Sequence, residues 1–196
     1  MTSNTINNRD VNHNVDPLFP NRWSPRAMSG EDLTEEELMT LFEAARWAPS
    51  SYNNQPWRFI YAKRNTAHWD TFFNLLVEGN QTWAKNASVL IVLISKNTFD
   101  HNGKPATTHT LDAGAAWENL ALQGTIRKLV VHGMQGFDYD KARDALKIPE
   151  EYTVEMMIAV GKQGHKETLP EPMQKGETPN DRKPISDIVM EGSFKE

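Results

Sequence analysis

Val89-Leu90-Ile91-Val92-Leu93-Ile94 is an unbroken apolar run of strand length, and no other segment constrains the fold of this chain as strongly. A half-buried strand alternates apolar with polar residues, so a continuous run reads as a strand buried on both faces. Val154 to Val160, ending at Gly161, is a second apolar strand, and Arg58 to Ala62 a third. Helical signals surround them. Thr34-Glu35-Glu36-Glu37 is a capping box, in which the hydroxyl meets an orphan amide and the glutamate three on reaches back. It opens a helix with Leu38, Leu41, Phe42, Ala45 and Trp47 near helical spacing, stopped before Pro49. The pattern predicts further helices around Thr66 to Leu76 and from Phe137-Asp138 to about Leu146, with Glu78-Gly79-Asn80-Gln81 as a break.

Asp112 to about Lys128 is the longest helical signal, with Ala113, Gly114, Ala115, Ala116 and Ala121 beside Trp117, Leu120 and Leu122. A helix apolar nearly all round is a buried one, and its small side chains admit close approach by another helix. Two readings fit: a central or subunit-interface helix, and the core of a plain monomer. Residues 1–20 are polar and Asn-rich and read as a flexible arm. Residues 21–196 then form one domain, with an irregular, extended C-terminal segment from about 165. The order of elements suits an α+β layered domain rather than regular βαβ repetition.

The composition excludes several chemistries. The chain of 196 residues has no cysteine, so disulfides, thiolate zinc sites, iron–sulfur clusters and cysteine nucleophiles are out. Its six histidines are scattered without a metal-binding spacing, and no metal site is expected. Redox chemistry would therefore need a borrowed redox group. A formal charge of -5 argues against general binding of nucleic acid or anionic membranes. No apolar stretch reaches spanning length and the first residues lack a signal-peptide pattern, which makes the cytoplasm the expected compartment.

Three polar stretches stand out. Ala48 to Phe59 crowds hydroxyls, carboxamides and two prolines into one turn between helix and strand. Proline pushes the residue before it out of the helical region and removes a donor, so this backbone is held open. It suits a ligand rich in hydroxyls and ring heteroatoms; it equally suits an ordinary connecting turn. Arg22-Trp23-Ser24-Pro25-Arg26 sets two guanidiniums four positions apart around a hydroxyl, and Arg182-Lys183 is a second basic cluster. Fork-shaped permanent cations are what a phosphate wants, although each cluster alone also reads as a solvated basic turn.

Taken in order, Arg22-x-Ser24-x-Arg26, Pro49-Ser50-Ser51-x-Asn53-x-Gln55-Pro56-Trp57, Asn80-Gln81-x-Trp83, Gly136-Phe137-Asp138 and Arg182-Lys183-Pro184 resemble the nitroreductase family of FMN-dependent oxidoreductases. The likeness spans roughly residues 20–190. It implies a layered sandwich, a central mixed or antiparallel sheet flanked by helices, built as an intertwined homodimer with FMN sites at the subunit interface. It assigns Arg22, Ser24 and Arg182 to the flavin phosphate, and Arg26 and Asn80 to the pyrimidine edge of the ring. Pro49, Ser50, Ser51, Asn53 and Gln55 would reach FMN from the partner subunit. Gln135 and Gly136 match the turn whose amide, by this resemblance, would meet the hydride-accepting ring nitrogen. Tyr52 and Trp83 are candidates for a stacking wall, with packing as the alternative for Trp83. No side-chain acid or base is required for hydride transfer.

The implied activity is ping-pong transfer of hydride from NAD(P)H through FMN to a small-molecule acceptor: a nitroaromatic, quinone or activated alkene. Two other readings stay open: a specialised relative such as a reductive dehalogenase or flavin-fragmenting oxygenase, with Phe99 to Thr110 as its lid, and a flavin-binding protein without useful turnover.

Overall fold

The structure, a computed structural model, describes Arg9 and residues 11–195. In chain order the elements are α1 (Leu18–Asn21), α2 (Glu35–Arg46), β1 (Trp57–Lys63), α3 (Trp69–Phe73), α4 (Glu78–Ala84), β2 (Val89–Lys96), α5 (His109–Ile126), β3 (Leu129–Met134), α6 (Tyr139–Ala145), β4 (Tyr152–Lys162) and α7 (Glu171–Gln174). The strands form an antiparallel sheet in the order β1-β2-β4-β3. A register shift between Leu93 and Ile94 bends β2 against β4.

The apolar run of β2 lies at the centre, and its side-chain alternation divides the interior in two. Val89, Ile91 and Leu93 face a core built with Leu38 and Leu41 of α2 and Ala116 and Leu120 of α5. Leu90, Val92 and Ile94 face the opposite core, with Phe72 of α3, Trp83 of α4 and Ala142 of α6. Both faces of the sheet are thus covered, and the result is the expected α+β layered sandwich. Gly124 lets α5 settle onto β3, because a Cβ there would stand 2.5 Å from Val131 Cγ2.

The capping box is formed as read: Glu37 N–H donates to Thr34 Oγ1 while the Thr34 amide donates to Glu37 Oε2. Several expectations need correction. Glu78 to Gln81 is no break but the first turns of α4, which Val77 starts in extended conformation with its amide bonded to the Gly136 carbonyl. The helix expected over Thr66 to Leu76 shrinks to α3, because Asn65 turns in the left-handed region and Thr66 Oγ1 bonds back to the Lys63 carbonyl. Strand β3, Leu129–Met134, adds to the three strands expected. Trp47 is 71% exposed rather than on the buried face of α2; its indole donates to Glu43 and the Arg46 guanidinium lies over its ring. Helix α5 buries only one side within the chain, leaving Leu111 72% and Ile126 58% exposed. Of the stretch read as an arm, residues 1–8 and 10 lie outside the described residues, while residues 18–20 belong to α1.

Candidate functional site

Four arginines from opposite ends of the chain line one cleft of about 390 Å³: Arg9, Arg22, Arg26 and Arg182. Arg22 caps the C-terminus of α1, its amide bonded to the Leu18 carbonyl, and its Nη1 donates to Ser24 Oγ at 3.2 Å. Glu118 of α5 stands 3.7 Å from Arg22 Nε. The backbone after Ser24 is fixed by Glu177, whose Oε1 accepts from the amides of both Arg26 and Ala27 at 2.7 Å. Glu177 is buried, and its other oxygen has no hydrogen-bond partner among the described residues. Arg182 Nη1 bonds to Asn180 and to the Asp181 carbonyl, which holds the guanidinium back along its own segment.

His132 of β3 closes the inner wall of this cleft. Its Nδ1 lies 2.9 Å from the Pro25 carbonyl, so that nitrogen is assigned the proton and donates. Burial pushes its pKa below the ordinary value and the nearby Arg26 charge adds to this, against the carbonyl bonds and Glu177. A neutral ring therefore sits beside a strongly positive cleft. Trp83 packs on it at 4.6 Å and donates through Nε1 to Asn80 Oδ1; Asn80 Nδ2 in turn donates to the Gly136 carbonyl at 3.0 Å. Glycine at 136 leaves room for this contact, because a Cβ would come within 2.7 Å of that carboxamide nitrogen and displace it. Cleft, His132, Trp83, Asn80 and the Gln135-Gly136 turn are thus one connected structure.

The loop Pro49 to Gln55 lies elsewhere. Pro49 and Ser50 border a separate groove of about 770 Å³ with Thr110, Leu111, Asp112, Gly114 and Ala115 of the α5 end. Ser51 donates its amide to Asp112 Oδ2, and Ser50 Oγ accepts from the Gln55 amide. Tyr52, Asn53 and Gln55 all have φ near +50°, in the left-handed region that non-glycine residues avoid. The surroundings enforce it: Asn54 bonds to the Thr98 carbonyl and the Asp100 amide, and the Tyr52 ring meets Phe99 and His101. Strain held in this way clusters at binding sites.

The structure therefore brings Arg22, Ser24, Arg26 and Arg182 together and joins Asn80 to Gly136 beside Gln135. It does not bring Pro49, Ser50, Ser51, Asn53 and Gln55 to the same cleft within one chain. Trp83, 2% exposed, packs from α4 onto His132 of β3 rather than offering a free face, whereas Tyr52 is open to solvent. Arg9, His132 and Glu177 were not among the sequence candidates. Arg9 sits in a polar stretch without pattern, and Glu177 binds amides 150 residues away; neither leaves a local signal.

The nitroreductase family model matches residues 20–76 and 63–162, and the chain belongs to that family. Protein DrgA of Synechocystis sp. is 28% identical over 162 residues, covering 66% of this chain and 74% of its own. A Streptomyces coelicolor protein, provisionally named a NADH dehydrogenase/NAD(P)H nitroreductase, is 23% identical over 168 residues, or 76% of this chain and 85% of its own. A crystal structure described as an oxidoreductase containing FMN superposes with a TM-score of 0.94 at 45% identity, covering 100% of this chain and 99% of that one.

Proposed function

We propose that this protein is an FMN-dependent oxidoreductase acting from NAD(P)H on a nitroaromatic, quinone or activated-alkene acceptor. The observation that carries the reading is the convergence of Arg22, Ser24, Arg26 and Arg182 on one cleft. That donor set fits a phosphate monoester, since it offers forked, permanently charged donors with a hydroxyl between them. The relative containing FMN, nearly identical in fold, supports the choice of phosphorylated ligand.

When bound, FMN would supply the redox chemistry, the exchange of hydride between NAD(P)H and the acceptor. This chain supplies position and charge. Arg22, Ser24 and Arg182 would hold the phosphate. Arg26, its backbone pinned by Glu177, sets a fixed positive charge that stabilises developing negative charge without reorganising. Asn80, locked between Trp83 and Gly136, orients the polar edge of the ring, and the Gln135-Gly136 turn offers a backbone donor. Donor and acceptor would then react in turn, which is ping-pong turnover.

The active unit is a homodimer. The strained loop Pro49 to Gln55 contributes nothing to the arginine cleft of its own chain and would serve that of a partner subunit. Apolar surface is left over for such a contact: Leu111 and Ile126 on α5, and Ile185, Ile188, Val189 and Phe194 along the C-terminal segment. The test is optical. Purified protein should be yellow, should bleach on adding NADH or NADPH without air, and should regain colour with a quinone. A colourless protein that takes up no FMN would overturn the proposal.

A further inference from the structure

Arg9 lies 13 positions before Arg22, outside the residues matched to the family model, yet its guanidinium lines the same cleft. Its Nε donates to the Asn180 carbonyl at 2.7 Å, and its Nη1 donates to the carbonyls of Pro20 and Arg22 at 2.8 Å each. One side chain thereby ties together the two stretches of backbone that carry the phosphate-facing arginines. The Asn180 carbonyl that it holds also accepts from Arg182 Nη1. The Arg22 carbonyl belongs to the residue whose side chain reaches Ser24.

We infer that Arg9 is a positioning residue for the cofactor phosphate, a clamp that sets Arg22 and Arg182 at a common spacing and adds a further positive charge to the cleft. The inference rests on the proposed function. Its physics is one of paired forks. A guanidinium that spends its donors on main-chain carbonyls holds geometry as a bidentate or tridentate brace, which a lysine ammonium on a flexible stem does poorly. The placement also has an electrostatic cost in the absence of anion. Burial and the neighbouring charges of Arg182 and Arg22 push the Arg9 pKa down, opposed by Asp181. A doubly charged phosphate relieves that repulsion, so the clamp favours phosphorylated over unphosphorylated flavin.

The experiment compares FMN with riboflavin, which shares the ring and lacks the phosphate. Flavin-stripped wild type, Arg9→Met and Arg9→Lys are titrated with each while flavin fluorescence is followed. Arg9→Met should lose about tenfold or more in FMN affinity, the scale of a charge-assisted contact, and change riboflavin affinity by less than about twofold. Arg9→Lys, with charge but no fork, should fall in between. Equal losses for both flavins would mean that Arg9 supports the fold in general and would overturn the inference, as would unchanged FMN affinity in Arg9→Met. Wild type that binds no FMN would overturn the proposed function together with this clamp, whereas wild type that binds FMN while Arg9→Met binds equally well overturns the clamp alone.

Discussion

Arg22 is the residue on which the phosphate assignment leans most, since it touches Ser24, faces Glu118 and is clamped through its own carbonyl. Arg22→Ala should weaken FMN binding about ten- to a hundredfold, the loss of a charge-assisted bond worth ~1.5–3 kcal/mol. Equilibrium dialysis checks this, and full flavin occupancy in the variant would show that the phosphate binds elsewhere. His132 gives a pH signature. Its folded pKa lies below that of the unfolded chain, so between the two values the unfolded state binds more protons. Its contribution to stability is therefore intact above the unfolded value of about 6.5 and is lost as pH falls through the folded value. His132→Asn, which keeps a donor for the Pro25 carbonyl, should flatten the decline in Tm as pH falls below about 6.5. Parallel melting profiles for variant and wild type would remove His132 as the cause.

Elements whose signals are local were legible in the sequence, and those held by distant partners were not. The capping box of α2 needs only Thr34 and Glu37, and the β2 run needs only its own six residues. By contrast β3 carries His132 and Gly133 in mid-strand, both poor strand signals. The structure explains them tertiarily: His132 bonds to Pro25, and Gly133 leaves room for Trp117 and Met156. In α4 the Gly79-Asn80 pair imitates a turn, but Gln81 bonds to the Phe73 and Leu76 carbonyls and steadies the helix. Thr34→Ala should cost about 1 kcal/mol, a drop in Tm of roughly 2–4 °C for a domain of this size. The end of β4 gives a sharper contrast. A Cβ on Gly164 would stand 2.6 Å from the Met28 carbonyl carbon, in backbone that cannot swing aside, whereas Gly79 meets nothing within 4 Å. In urea titrations Gly164→Ala should lose about 1–3 kcal/mol, while Gly79→Ala should gain about 0.5–1 kcal/mol. Similar effects for the two would contradict the packing described at Gly164.

At the scale of the whole molecule, the layered α+β sandwich was readable because one doubly buried strand demands cover on both faces. The site was readable only as an ordered set of motifs, since Arg22 and Arg182 show no relation until the fold brings them to one cleft. Arg9 and Glu177, which brace the cleft, act through backbone groups and leave no side-chain pattern to find. Assembly belongs to this scale as well. Leu111→Asp on the open side of α5 should shift sedimentation from dimer to monomer and release FMN, because the partner's loop would be lost with the interface. A variant that stays dimeric would place the interface elsewhere. The most direct measurement is a crystal structure of the protein grown with FMN. The phosphate should lie among Arg22, Ser24 and Arg182 of one protomer, with the Pro49 to Gln55 loop of the other against the ring. Flavin bound away from the arginine cleft, or enclosed by the loop of its own chain, would contradict this placement.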